Sequence, residues 1–266
     1  NIGEKDSLNA YTRELTSYYK KNLDEVDAKC RHNFKKDIFK IFECQSPRCL
    51  ELREEAPKSL SYLGETIREH FKEVIEFLEN MDTTYEIENM SISNPEYANK
   101  TILEFRNYVK EEDVGNNTGF EVVAHGSRYD GLSKKMGLKK NIGAIGIAIK
   151  FDNVPQKESY KVKAVEKNKT KVFLIQFGAS AKQKILKMIE VFRVNKINIA
   201  HALMRDDLGS QLAMAEKSGA PFIAILGQKE IVENSIMIRN TKNRSQDSIS
   251  VDKVGAFLKE ELKKIG

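Results

Sequence analysis

The chain has 266 residues, 40% of them hydrophobic and 31% charged, a balance that supports packed cores and excludes disordered and fibrous classes. Its net charge of +5 and pI near 8.9 fit a nucleic-acid partner, and a lysine-rich surface explains them equally well. No apolar run reaches the roughly 18 residues of a membrane span, so no membrane partner is expected.

The opening Asn1-Ile2-Gly3-Glu4-Lys5-Asp6 is polar, carries no signal-peptide pattern and has no starting Met, which points to a fragment or a processed chain. Residues 8–81 read as helices. Tyr11, Leu15, Tyr18 and Tyr19 mark one amphipathic face. Leu60, Leu63, Ile67, Phe71, Val74 and Leu78 mark another, with Ser59 as its expected cap. Cys30, Cys44 and Cys49 form no disulfide framework, so free thiols and a reducing, cytoplasmic location are expected. Cys44 and Cys49, four residues apart in between, offer half of a metal site. The scattered His32, His70, His125 and His201 supply no second pair at ligand spacing, so no metal is expected.

Beyond residue 100 the pattern changes to short β-branched runs. Segments 101–105, 119–124 and 144–149 read as strands of one sheet, with a turn-rich loop at 113–119. Residues 152–170 are polar, Lys-rich and contain Pro155, as a linker would. A strand–helix alternation follows: strands at 171–177, 197–200, 221–226, 235–239 and 248–251, helices at 180–194, 206–218 and 252–264. This spacing predicts a parallel or mixed sheet with helices on its faces. Gly143-Ala144-Ile145-Gly146 precedes and enters a strand, the wrong context for a dinucleotide loop, and its small residues suit close backbone packing instead.

Gly126-Ser127-Arg128-Tyr129-Asp130-Gly131-Leu132 resembles the Gly-Gly-Arg-Tyr-Asp-Gly-Leu signature of histidyl-tRNA synthetases. Asn1-Ile2-Gly3 resembles the segment after that family's second class motif, and the Cys44–Cys49–Ala56-Pro57 region its helical insertion. The run 211–216, followed by Ile225-Leu226-Gly227-Gln228-Lys229-Glu230, resembles its anticodon-binding domain. The resemblance implies an α/β, overall α+β, organisation. Residues 1–90 would be a helical insertion module, 91–155 a partial class II antiparallel catalytic sheet, 156–170 a linker, and 171–266 an α/β anticodon-binding domain with a mixed sheet.

Two departures bear on chemistry. Where the family has Leu-Val-Arg-Gly-Leu-Asp-Tyr-Tyr, this chain has residues 91–98, so the catalytic arginine position holds Ser93 and a pocket tyrosine position holds Ala98. Where the third class motif ends Gly-Leu-Glu-Arg, residues 150–153 end on Asn153. Neutral side chains thus replace cations that amino-acid activation with ATP uses to stabilise phosphate charge. Lys100 or Lys150 would substitute only as a point charge, without arginine's bidentate fork.

Arg128, Tyr129 and Asp130 are the candidate substrate-binding residues, with Tyr129 facing histidine by resemblance. The alternative is a structural turn held by an Arg128–Asp130 pair. His125 reads as a loop residue. Arg205, Gln228, Lys229, Glu230 and Arg239 are the candidate RNA-binding residues, and Lys157, Lys161, Lys163, Lys167, Lys169 and Lys171 a candidate phosphate track. The resemblance implies a tRNA-binding protein, histidine tRNA first, that is not competent for aminoacylation as this chain; a homodimer would form through upstream sequence. The alternatives are part of a genuine histidine–tRNA ligase, with ATP and Mg as cofactors, or a histidine-responsive regulatory subunit.

Overall fold

A computed structural model describes residues 2–44, 46–89, 97–108, 120–150 and 169–265. Ser93, Asn153, the loop at 113–119 and Lys157, Lys161, Lys163 and Lys167 lie outside them. The chain divides into two compact units, Asn1–Glu73 with Glu86–Gln156, and Val74–Tyr85 with Lys157–Gly266. The helical module and the first sheet, separated at residue 90 in the sequence reading, therefore group together.

The first unit begins with α1 (Lys5–Lys21), α2 (Ala28–Phe34), a 3₁₀ turn at Ile38–Glu43 and α3 (Pro47–Glu55). Tyr11, Leu15 and Tyr19 recur at steps of four along α1 and are fully buried, which puts one stripe of the helix into the core. They pack with Val26, Cys30, Ile41, Cys49 and Leu52. A second 3₁₀ turn, Ser59–Tyr62, precedes α4 (Glu65–Asn80), whose residues from Val74 on are counted in the second unit. Ser59 is not the cap of α4: Leu63 is extended, the helix starts six residues later than Ser59, at Glu65, and the buried Ser59 hydroxyl donates to the Asn89 carbonyl.

The sheet of this unit has order β1-β2-β3, with β1 at Asn99–Tyr108, β2 at Phe120–Arg128 and β3 at Ile145–Ile149. All pairings are antiparallel. His125 lies within β2, opposite Glu104 and Ala148, not in a loop as the sequence suggested. The signature begins on the strand for the same reason: β2 runs on to Arg128 because β3 pairs with it as far as Ile145. A single-turn helix, α5 (Leu132–Lys135), follows.

The second unit carries a five-stranded sheet of order β5-β4-β6-β7-β8. Its strands are β4 (Val172–Gln176), β5 (Ile199–His201), β6 (Phe222–Leu226), β7 (Ser235–Asn240) and β8 (Gln246–Ser250). The first three pair in parallel and the last two join antiparallel, which makes the sheet mixed. The helices are α6 (Ala179–Val194), α7 (Leu208–Ser218), α8 (Gln228–Val232) and α9 (Val251–Ile265). Strand β4 is buried along its whole length, as a central strand covered on both faces must be. Val172, Leu174, Phe222, Ala224, Ile236 and Ile238 face α6 and α9. Phe173, Ile175 and Ile223 face the other way, toward Ala215 and Leu212 of α7.

Candidate functional site

The signature residues form a charged cluster in the first unit. Arg128 Nε donates to both Asp130 carboxylate oxygens, at 2.8 and 2.9 Å. Lys100 Nζ donates to Asp130 Oδ2 at 3.1 Å and lies 3.4 Å from Glu4 Oε1. The Ala144 N–H donates to Asp130 Oδ1, and the Asp130 N–H donates to Asn99 Oδ1. Burial alone raises the Asp130 pKa, but the bonds from Arg128, Lys100 and Ala144 outweigh it and hold the carboxyl below its usual range.

Lys100 has φ +55, left-handed backbone that L residues avoid, and it sits in the register shift between Asn99 and Ile102. The chain start fixes it there: the Ile2 N–H donates to the Lys100 carbonyl at 2.9 Å and the Lys100 N–H to the Gly3 carbonyl at 2.7 Å. Gly3 itself has φ +68, and a Cβ there would come 2.6 Å from Ser7 Cβ. A bulge, a glycine and one lysine thus aim a cation at Asp130. Lys150, the other candidate point charge, pairs instead with Glu121 on the neighbouring strand.

His70 of α4 completes the cluster. Its Nε2 lies 3.3 Å from Arg128 Nη1, and its buried Nδ1 has no hydrogen-bond partner among the described residues. Burial, with Arg128 and Lys100 nearby, lowers its pKa and keeps the ring neutral at physiological pH. Residue spacing could not reveal His70, because it meets Arg128 only through tertiary packing.

Tyr129 packs its hydroxyl end against Gly146; a Cβ there would lie 2.5 Å from Tyr129 Oη. A Cβ on Gly126 would meet the Gly146 carbonyl at 2.6 Å. The small residues at 143–146 therefore admit the tyrosine ring and the adjacent strand. The geometry matches the turn reading of Arg128 and Asp130, which bind each other. Ala98 is buried just before β1 and offers only a methyl group.

In the second unit the candidate RNA-binding residues fall in three places. Arg205, Gln228 and Lys229 are exposed beyond the C-terminal ends of β5 and β6. The Arg205 loop is tied down by a buried amide pair. Gln211 Oε1 accepts from the Gln176 N–H, Gln211 Nε2 donates to the Gln176 carbonyl, and Gln176 Nε2 donates to the Arg205 carbonyl.

Arg239 lies on β7 opposite Ile223 of β6 and Gln246 of β8. Alternation puts it on one face with Met237, Gln246 and Ser248, the face on which Ile223 and Ile225 join the α7 cluster, while Ile236, Ile238 and Ile249 face α9. Glu230 is a correction. It is buried, and its carboxylate accepts from the Gly227 N–H at 3.0 Å, capping α8 at its third position. Gly227-Gln228-Lys229-Glu230 carried that spacing in the sequence. Of the candidate phosphate track, Lys169 and Lys171 are described, and both are exposed.

The cysteines hold a surprise relative to the half-site read from sequence. Cys30 of α2, Cys44 beyond the first 3₁₀ turn and Cys49 of α3 bring their sulfurs within 4.8 Å of one another. The Cys44 thiol also donates to Ser46 Oγ at 3.5 Å.

Comparison with known proteins gives these sites a context. Residues 171–261 match the family described as "Anticodon binding domain". The chain is 28% identical to the histidine–tRNA ligase of Acetivibrio thermocellus over 94% of its own length and 58% of that protein. It is 25% identical to the histidine–tRNA ligase of Caldicellulosiruptor bescii over 96% of its length and 59% of that protein. It thus spans about three fifths of the length of these relatives. Among solved structures, apo histidyl-tRNA synthetase from S. aureus aligns with 97% of the chain and 62% of that protein, at 19% identity and a TM-score of 0.39. The chain is a homologue of histidine–tRNA ligases along nearly all of its length, and its residues 171–261 are an anticodon-binding domain.

Proposed function

We propose that this chain binds tRNA, histidine tRNA first, through the sheet face of β7 and β8 and the loops beside it, and that it does not activate histidine. The observation that carries the reading is the anticodon-binding domain itself, whose sheet presents Arg239, Met237, Gln246 and Ser248, none of them in either apolar cluster, beside the Ile223 and Ile225 that pack toward α7. Splayed single-stranded bases stack on such faces and are read by arginine and amide side chains, while lysines such as Lys229 and Lys171 neutralise phosphates. The second half of the proposal rests on residue identity: Ser93 and Asn153 cannot supply the charge that two arginines would, and Ala98 cannot supply a tyrosine's ring.

Filter binding at two salt concentrations tests the first half. Arg239→Ala should cost about 1–3 kcal/mol on histidine tRNA and less on an unrelated tRNA. Lys229→Ala should weaken both alike and flatten the salt dependence. Equal, purely salt-driven binding of both RNAs would end the anticodon reading. For the second half, histidine-dependent ATP–pyrophosphate exchange should stay at the level of a no-protein control; exchange above it would show a working ligase site.

A further inference from the structure

We propose that Cys30, Cys44 and Cys49 form a binding site for one thiophilic d¹⁰ metal ion, zinc being the physiological candidate, that staples the helical module of the first unit.

Convergence is the first ground. The three sulfurs come from three separate segments, α2, the exit of a 3₁₀ turn and α3, yet all lie within 4.8 Å of one another. Zinc–thiolate bonds of about 2.3 Å place sulfurs of a tetrahedral site about 3.8 Å apart. Closing the present triangle by about 1 Å therefore suffices. A disulfide would use two sulfurs and leave the third unused, whereas a metal engages all three.

The surroundings are the second ground. Cys30 and Cys49 are buried in an apolar cluster with Tyr11, Tyr19, Val26 and Leu52, and Cys44 is half-buried on the open side. Neither histidine nor carboxylate joins the group among the described residues. A pure thiolate set selects soft cations and rejects magnesium and calcium. The fourth tetrahedral position falls to water or a small anion entering beside Cys44.

Charge supplies the third ground. Three thiolates on a divalent ion leave one net negative charge. Arg53 stands next to it: its guanidinium donates to the Cys44 carbonyl, and its Nε is buried with no hydrogen-bond partner among the described residues. A half-buried guanidinium whose Nε is buried with an unused donor is costly beside neutral thiols and well placed beside a metal–thiolate anion.

The benefit is legible in the fold. Helices α2 and α3 have only 7 and 9 residues, too short to persist on propensity alone. A metal joining them across the 3₁₀ turn converts binding free energy into folding free energy. Binding exchanges up to three thiol protons for one metal ion, with no change of oxidation state.

The test uses the full chain, reduced and stripped with chelator, then loaded with zinc and passed through a desalting column. Elemental analysis should find one zinc per chain, and cobalt in its place should give thiolate-to-metal charge-transfer absorption with tetrahedral ligand-field bands. Zinc should raise the melting temperature and protect all three thiols from alkylation. Cys44→Ala, the half-buried position least disruptive to the core, should retain its circular dichroism. It should also lose zinc affinity by more than the roughly 100-fold that follows loss of an outer partner. A folded wild-type chain that retains no zinc would overturn the proposal. So would zinc retained equally by folded Cys44→Ala, or a disulfide between two of these cysteines in reduced, zinc-loaded protein.

Discussion

Replacing Asp130 by Asn keeps the shape of the side chain and removes its charge, leaving two cations facing a neutral amide. In the native chain Asp130 is about nine-tenths buried and accepts four bonds, two from Arg128, one from Lys100 and one from the Ala144 N–H. Breaking a fully buried pair by removing one partner costs about 3–5 kcal/mol. Arg128 is about one-third exposed, so water recovers part of that, and about 2–3 kcal/mol is expected. For a unit of this size the melting temperature should fall by about 5–10 °C.

The pH dependence distinguishes this cause from simple misfolding. The folded pKa of Asp130 is depressed, so its contribution is complete above the unfolded value of about 3.9 and is lost as pH falls through the folded value. Urea midpoints of wild type and Asp130→Asn should differ at neutral pH and converge as the solution becomes more acidic than the ordinary carboxylate range. A gap that stays constant across that acid range would refute the charge argument. A gap of less than about 0.5 kcal/mol at pH 7 would refute the burial argument as well.

Gln211→Leu should destabilise the second unit by about 2–4 kcal/mol, because it leaves the Gln176 N–H and carbonyl without their buried partners; denaturant unfolding of the second unit measures it. Gly146→Ala pushes a methyl group into the Tyr129 ring and should cost about 1–3 kcal/mol. Pairing that substitution with Tyr129→Phe, which shortens the ring by the oxygen in conflict, should recover part of the loss in a melting experiment.

Much of the second unit was legible because its signals are local. Val172–Ile175 reads as a strand and is one. Ala181, Ile185, Met188 and Phe192 repeat at steps of three and four, and all four are buried along α6. The short α8 went unread because five residues leave almost no periodicity, although the glycine-to-glutamate spacing of its cap was present. The candidate site was legible only in part. Arg128 and Asp130 lie two positions apart and their pairing was foreseen. His70, Lys100 and Cys30 reach their partners over separations that no spacing rule spans. Ser59 failed as a helix cap because an extended Leu63 intervenes, and strand pairing with β3, not local propensity, moved His125 from a loop into β2.

Among the described residues, the edges of the two sheets differ in what they invite. The larger sheet ends at one side on β5, three residues long, and at the other on β8, whose Gln246, Asp247, Ser248 and Ser250 are polar. Short and polar edges are poor templates for a stranger's strand. The smaller sheet ends on β3, where Ile145, Ile147 and Ile149 alternate and are all at least half exposed. An apolar, unbroken outer strand of this kind recruits other strands readily. At high concentration, self-association should begin at β3, and a lysine in place of Ile147 should improve solubility without touching the anticodon-binding domain.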